Sequence, residues 1–226
     1  MKFSTSSKSR LTRHDLDRFP GKSLFDRLAR AVCDAGCLPR KELYEAWEVA
    51  RRVRRLFRGG RVVDVAGGHG LLAQTMLLLD DSSAEAYVVD PAPPSSAAKL
   101  HASLEAVWPR LTGRVHWTAA ALDAFVFNKA DLIVSSHACG SLTDFVLDRA
   151  LAVRSRVAVL PCCHDATTSD AGPITGWVDP ALAIDLLRAV RLQKHGYQVR
   201  TQMIPETITP KNRLLIGEPT HRPKDD

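Results

Sequence analysis

The stretch RVVDVAGGHGLL, residues 61–72, decides the fold. Val62, Val63 and Val65 form a short apolar run that predicts a buried strand, and the apolar run over residues 71–79 predicts a helix. Three glycines separate the two. Glycines at such a turn let the backbone approach a ligand closely, and they leave amide N–H groups free at the start of the helix. The stretch is therefore typical of the first unit of a doubly wound sheet.

The rest of the chain repeats this alternation. Further strands are predicted over residues 85–90, 114–120, 131–137, 156–161, 197–204 and 213–217, and helices over 95–108, 141–153 and 179–196. Two helices, over 22–36 and 40–57, precede the first strand. Strands that alternate with helices indicate a parallel, doubly wound α/β sheet, here with a helical N-terminal extension.

This pattern divides the chain into segments. We expect a disordered basic tail over 1–20, a helical extension over 21–60, the main domain over 61–218 and a second tail over 219–226. No apolar run approaches the roughly 18 residues that a membrane span needs, and the N-terminal residues lack the apolar stretch of a signal peptide. Five cysteines, an odd number, favour free thiols in a reducing, cytoplasmic setting.

Positive charge is concentrated at the N-terminal end. Residues 1–61 contain 16 of the 31 Lys and Arg residues but only 7 of the 25 Asp and Glu residues. The run RRVRRLFRGGR, residues 51–61, is the densest part, and such asymmetry is typical of proteins that bind a polyanion such as RNA. The alternative is a solvated helix face whose arginines pair with Glu42, Glu45 and Glu48.

The glycine loop matches two cofactor patterns. Gly68-x-Gly70-x-x-Ala73 satisfies the dinucleotide fingerprint. Asp64-x-Ala66-x-Gly68-x-Gly70 satisfies the acid-x-small-x-Gly-x-Gly loop of enzymes that use S-adenosylmethionine (SAM). The second pattern is favoured, because the acid lies inside the loop and because the sheet is predicted to end in a strand pair.

Two carboxylates have distinct expected roles at this loop. Asp64 can hold the ammonium group of the methionine moiety, and Asp90, after the second strand, can accept hydrogen bonds from ribose hydroxyls. The structural alternatives are that Asp64 caps a helix or loop and that Asp90 is only a turn residue. The remaining cofactor-binding candidates are Ala66, Gly67, Gly68, His69, Gly70, Ala121, Leu122 and Ser136.

Several motifs together carry a family resemblance. They are DVAGGHG (64–70), VVDP (88–91), SSHACGSLTD (135–144), VLPCCHD (159–165) and ITPKNRLLIG (208–217). With them the chain, over roughly residues 38–218, resembles the methyltransferase domain of the glutathione S-transferase C-terminal domain-containing protein and related methyltransferase-like proteins. More distantly it is similar to the eukaryotic tRNA acceptor-stem ribose methylase. The resemblance implies a Rossmann-like, seven-stranded class I SAM-dependent methyltransferase.

Cysteine and histidine residues follow the fourth and fifth strands, where ligands bind in such a sheet. The catalytic candidates are His137, Cys162 and His164, and the substrate-binding candidates are Cys139, Cys163, Lys211, Asn212 and Arg213. The turn after the sixth strand, expected to run parallel to its neighbours, would bring the last three to the acceptor entrance.

Three interpretations of the cysteines remain open. Zinc is disfavoured and no metal site is predicted, because the adjacent Cys162 and Cys163 should point apart. The second is a nucleophilic thiolate. RNA cytosine carbon-5 methylases have a catalytic cysteine after strand five and another cysteine after strand four, which are the positions of Cys162 and Cys139. The favoured interpretation is that small, soft side chains line the acceptor pocket, with His137 or His164 as a polar contact or base.

The acceptor is expected to be RNA, methylated on oxygen or nitrogen. Exocyclic amines are disfavoured, because the SHAC turn (136–139) lacks the aromatic residue that enzymes of that kind place there. A small-molecule methyltransferase with the same cofactor site is the first alternative. A catalytically silent module that binds RNA or a protein is the second.

Overall fold

A seven-stranded sheet with helices on both faces forms the centre of the computed structural model, which describes residues 3–220. The strands are β1 (Val62–Val65), β2 (Ala86–Val89), β3 (Val115–Thr118), β4 (Leu132–Ser135), β5 (Arg156–Val159), β6 (Tyr197–Met203) and β7 (Arg213–Pro219). Their order is β3-β2-β1-β4-β5-β7-β6. The predicted fold class is confirmed: β1 to β5 pair in parallel, and β7 is antiparallel to both β5 and β6.

Within residues 3–220, six α-helices surround the sheet. They are α1 (Leu24–Ala35), α2 (Arg40–Leu56), α3 (Leu71–Leu79), α4 (Ala97–Val107), α5 (Ser141–Val153) and α6 (Pro180–Lys194). Local chemistry sets their ends: the Ser23 hydroxyl accepts the amide of Asp26 at the start of α1, and Gly36 ends that helix with φ 65°. Among the residues described, no helix combines the length and the apolar character needed to cross a membrane.

Alternation along the strands creates two apolar cores. Val62 packs into the core on the α1–α4 face, whereas Val63 and Val65 pack into the core on the α5–α6 face. Because successive side chains of a strand point to opposite faces, Asp64 lies on the same face as Val62, beneath α3. The strand period thus places this carboxylate below the glycine loop.

Residues 3–20 correct the expectation of a disordered tail. Leu11 and Phe19 are buried in the same core as α1 to α4, and the Leu11 amide donates to the Leu38 carbonyl at 2.9 Å. A 3₁₀-helix covers Arg13–Arg18. Phe3 and Leu16 of the same segment are partly buried against this core, so the helices that follow cover four of its apolar side chains. Residues 1–2 and 221–226 of the expected tails lie outside the described residues.

The edge strand β6 pairs with β7 as expected, but it is antiparallel to this neighbour and not parallel to it. Because β7 is also antiparallel to β5, β6 still runs in the direction of β1 to β5. The turn over residues 204–212 therefore lies at the carboxyl edge of the sheet, as expected.

Candidate cofactor and acceptor site

The glycine loop turns tightly at the carboxyl end of β1. Gly68 and Gly70 adopt φ values of 52° and 71°, in the left-handed region that favours glycine. A Cβ added at Gly70 would lie 2.7 Å from a methyl carbon of Val88, and one added at Gly67 would lie 2.8 Å from the Asp64 carboxyl. The loop therefore needs glycine for both its conformation and its close packing.

Asp64 is buried below this loop. Its carboxylate accepts a hydrogen bond from the Ala73 amide at 3.1 Å, so it has the capping role considered as the structural alternative. Burial raises the pKa of Asp64 to about 7, and the nearby Asp90 carboxylate adds to the rise. A cation placed here would remove the cost of the buried charge, so Asp64 also suits the ammonium group of SAM.

A cavity of about 260 Å³ opens at this edge of the sheet. Its walls contain Glu42, Ala46, Asp64, Ala66, Gly67, Gly68, His69, Leu71, Leu72, Pro94, Ser136 and His137. Six of the predicted cofactor residues are among them. Ala121 and Leu122 lie in the loop after β3, outside this lining, and Leu122 packs against the core on the α5–α6 face. Ligand sites usually measure about 300–1,000 Å³, so we expect the cofactor to extend beyond the cavity.

Glu42 is a cavity residue that sequence reasoning missed. It lies in the first turn of α2, and the sequence assigned it only a pairing role with the arginines of that helix. Burial raises the pKa of Glu42 to about 7, and the adjacent Glu45 raises it further. Glu42 and Asp64 thus present two desolvated carboxyl groups to one cavity, an arrangement that favours a cationic ligand.

Two histidines line the cavity. His69 Nε2 lies 2.8 Å from the Ser96 hydroxyl, which fixes its ring, and burial lowers its pKa, with Arg10 nearby adding to the effect. His137 follows β4 and remains accessible. The protein packed around it disfavours the charged imidazole and lowers the pKa of His137, and Lys41 has the same effect. A neutral imidazole can accept a proton, so His137 suits the expected role of a base.

His164 does not share this position. Its side chain is buried, and its Nε2 lies 2.8 Å from the Asp185 carboxylate. Arg213 donates to the same carboxylate at 2.7 Å, and these partners hold the pKa of Asp185 below its usual range. Asn212 is buried and donates to the Ile204 carbonyl at 3.0 Å. His164, Asn212 and Arg213 are thus hydrogen-bonded within the protein, because buried polar groups require partners, and His164 Nδ1 has no partner among the described residues.

The three cysteines of the β4 and β5 ends do come together. The Sγ atoms of Cys139 and Cys162 lie 2.8 Å apart, and those of Cys162 and Cys163 lie 3.8 Å apart. The expectation that the adjacent cysteines point apart is therefore wrong, because the loop after β5 turns both sulfurs to one side. Cys139 and Cys163 are exposed and Cys162 is half-buried. Burial and the neighbouring sulfurs raise the pKa of Cys162, so the free thiol is a poor nucleophile.

The arginine-rich end of α2 lies far from this site. Glu42, at the start of α2, lines the cavity, whereas Arg55 is 13 residues further along, about 20 Å away at the helical rise per residue. Arg54 is buried, and it pairs with Asp80 at 3.0 Å, which makes it unavailable to a polyanion. Arg51 pairs with Glu48, as the alternative interpretation expected.

Fold and site together define a class I methyltransferase that uses SAM: the strand order, the glycine loop after β1 and the acidic residue after β2 all match. A family model described as "Methyltransferase domain" matches residues 41–169, more than half of the chain. The chain belongs to this family. SAM is its cofactor, and the carboxylates and close-packed glycines of the cavity fit it.

Curated relatives match only in part. The glutathione S-transferase C-terminal domain-containing protein of Xenopus laevis is 26% identical over 122 residues, and the match covers 38% of this chain and 20% of that protein. Its homolog in Drosophila pseudoobscura pseudoobscura is 27% identical over 199 residues, 70% of this chain and 33% of the relative. The chain thus spans a fifth to a third of the length of these relatives.

Solved structures show the same fold. An O-methyltransferase family protein from Burkholderia thailandensis superimposes with a TM-score of 0.55 at 18% identity, covering 91% of this chain and 63% of that one. Ribosomal protein L11 methylase from Lactobacillus delbrueckii subsp. bulgaricus gives 0.51 at 16% identity, covering 83% of each chain. TrmK of M. capricolum, in complex with S-adenosyl-homocysteine, gives 0.50 at 14% identity, covering 77% and 71%.

Proposed function

We propose that this methyltransferase modifies RNA on an oxygen or nitrogen atom, and that the RNA contacts the cofactor edge of the protein. The arginine run at the end of α2 is not the contact in this proposal. The observation that carries it is a set of exposed cations at the carboxyl edge of the sheet: Lys8, Arg10 and Lys211. Cations at the mouth of the cofactor site would contact phosphates on either side of the methylated nucleotide.

The N-terminal segment supports this arrangement. The Ser7 and Ser9 carbonyls accept the amides of Lys41 and Arg40 at the start of α2, which holds Lys8 and Arg10 beside the cavity. The positive charge of Arg10 contributes to the lowered pKa of His69 in the cavity wall, which is consistent with that proximity.

The turn after β6 and an exposed aromatic residue add to this edge. The Thr5 hydroxyl donates to the Thr207 carbonyl at 2.7 Å, so the segment that carries Arg10 contacts the turn that carries Lys211. Trp177, 90% exposed, lies just before α6 on the same edge. An exposed tryptophan offers an unpaired base a stacking surface, worth about 1–3 kcal/mol.

Methyl transfer to such an acceptor needs positioning and, for a hydroxyl, removal of a proton. Bound SAM would supply the methyl group from its positively charged sulfonium, and the carbon–sulfur bond would break, releasing S-adenosylhomocysteine, as the in-line acceptor bonds to the methyl carbon. His137 would take the acceptor proton as a neutral imidazole. The five unpaired cysteines suit a reducing compartment such as the cytoplasm.

A matched pair of double variants tests the proposal. Arg10→Glu with Lys211→Glu should weaken RNA binding more than about tenfold at low salt and flatten its salt dependence, because phosphate contacts are lost. Arg55→Glu with Lys129→Glu changes the charge equally at the opposite edge, at two exposed positions, and should have little effect. SAM affinity, measured by calorimetry, should be unchanged in both.

The acceptor itself is identified by labelling. RNA from cells that lack this gene should accept the methyl group of labelled SAM, and nucleoside mass spectrometry then locates it. If the RNA stays unlabelled while a small-molecule fraction is labelled, the protein is a small-molecule methyltransferase. If SAM binds and nothing is labelled, the proposal fails in favour of a silent binding module.

A further inference from the structure

We propose that Cys139, Cys162 and Cys163 bind one Zn²⁺ ion through three thiolates, with the fourth position open to solvent. The sequence alone argued against a metal here, and nothing in the methyl-transfer chemistry requires one. The inference does not depend on the identity of the acceptor.

Two loops bring the thiols together. Cys139 lies between β4 and α5, and Cys162 and Cys163 follow β5. The Gly140 amide donates to the Cys163 carbonyl at 3.2 Å, which ties the loops to each other beside the cluster. The three sulfurs all lie within 4.8 Å of one another.

The spacing suits a tetrahedral ion. With Zn–S bonds of about 2.3 Å, two sulfurs on one zinc lie about 3.8 Å apart. The Cys162–Cys163 distance is 3.8 Å, and Cys139 must move only about 1 Å from Cys162 to complete the set. Three protein ligands with an open fourth position are the arrangement of catalytic zinc sites.

Packing alone does not account for these thiols. Cys139 and Cys163 are exposed, so they contribute little to an apolar pocket lining. A disulfide between Cys139 and Cys162 would need an oxidant and would leave Cys163 unexplained. Zinc binding involves no oxidation: the three thiols each release a proton to solvent, and the thiolates bind the ion.

The site would adjoin the cofactor. His137, which lines the cofactor cavity, is two residues from Cys139, and the same turn connects them. An ion that fixes this turn would also order the wall of the cavity. We therefore expect zinc-loaded protein to bind SAM more tightly than zinc-free protein.

Metal titration of the full chain tests the site. Reduced protein is incubated with Zn²⁺ alone, or Co²⁺ alone, under anaerobic conditions and then freed of excess metal. We expect one ion per chain by elemental analysis, and thiolate-to-cobalt charge-transfer bands for Co²⁺. Cys162→Ser and Cys163→Ser should each lower metal affinity by more than about tenfold.

Cys37→Ser is the matched control, because Cys37 is half-buried and outside the cluster. It should retain the metal in full, and circular dichroism checks that all variants are folded. Failure of the reduced parent protein to retain metal would overturn the proposal, as would full retention by both cluster variants. If a thiol assay finds two thiols fewer than the sequence contains, and reductant restores them with no metal bound, the cluster holds a disulfide and not a zinc site.

Discussion

The Asp90 carboxylate accepts a hydrogen bond from the Gly68 amide at 3.0 Å, which joins the end of β2 to the glycine loop. Its other oxygen accepts the amide of Ala92 at 2.9 Å. Carboxylate oxygens can each accept more than one hydrogen bond, so the half-buried Asp90 retains capacity for ribose hydroxyls. Asp90 thus shapes the loop, and we expect it to contact the ribose of the cofactor as well.

We expect Asp90→Ala to weaken SAM binding by about 1–3 kcal/mol, the usual cost of losing hydrogen bonds to a charged group. Calorimetry with SAM measures this loss, and NAD serves as the competing ligand. Asp81→Ala is the control, because Asp81 lies in an exposed turn before β2, away from the cavity. Equal affinity of the Asp90 variant and the parent protein would remove Asp90 from the cofactor site.

Gly70→Ala should destabilise the protein more than Gly113→Ala. Both glycines have φ 71°, so both substitutions carry the backbone cost of about 1–2 kcal/mol. The added methyl at Gly70 would meet Val88 and Trp117, whereas at Gly113 it would meet no atom within 4 Å. Urea unfolding measures the difference. Equal destabilisation by the two substitutions would show that Val88 and Trp117 can move away from the added methyl group without a cost in free energy.

The sequence predicted the elements of this fold because its periodicities are strong. Each strand and helix expected from the apolar pattern is present, and the glycine loop lies where the first strand ends. The same loop predicted five of the twelve cavity residues, because a βα turn brings its own residues to the ligand. Local patterns therefore suffice where the site is built from one continuous segment.

Contacts between distant segments could not be predicted in this way. His137 and His164 occupy similar positions after neighbouring strands, but only His164 is buried in a hydrogen-bonded network. Its partner in that network is Asp185 on α6, which is distant in the sequence. Glu42 reaches the cavity because α2 packs on α3, which no local pattern encodes. The burial of Leu11 likewise depends on helices further along the chain.

The contribution of Asp64 to the unfolding free energy of the cofactor-free protein should fall as the pH rises from about 4 to about 7. Asp64 has a pKa of about 7 in the folded protein against 3.8 for the free group, so the folded state binds more protons over this interval. Below about pH 4 the stabilising contribution of the protonated Asp64 carboxyl is fully present. This contribution is lost as the pH rises towards 7 and the carboxyl ionises.

Denaturant titrations at several pH values measure this dependence. Asp64→Asn keeps the oxygen that accepts the Ala73 amide but removes the titration, so its stability should vary less between pH 4 and 7. Glu42→Gln should flatten the same interval, since the pKa of Glu42 is also about 7. An Asp64→Asn variant whose stability varies over this interval as much as that of the parent protein would contradict the assignment for Asp64, and the same result for Glu42→Gln would contradict that for Glu42.

Arg54 and its neighbour Arg55 should respond very differently to truncation. The Arg54 guanidinium is buried, pairs with Asp80 at 3.0 Å and donates to the Ser83 hydroxyl at 2.8 Å. Arg54→Ala would leave the buried Asp80 carboxylate without this partner, at a cost of about 3–5 kcal/mol. Arg55 is exposed, so Arg55→Ala should change stability by less than about 0.5 kcal/mol.

Thermal unfolding compares the two variants directly. For a chain of this size each kcal/mol shifts the midpoint by about 2–4 °C, so Arg54→Ala should unfold roughly 10 °C below the parent and Arg55→Ala within about 2 °C of it. Arg54→Ala with Asp80→Ala should recover part of the loss, because it removes a buried carboxylate whose remaining ion-pair partner, Arg58, lies 3.7 Å away. Equal midpoints for the two single variants would show that Arg54 does not compensate the charge of Asp80. The Arg54 guanidinium would then be free to act as a surface cation of α2.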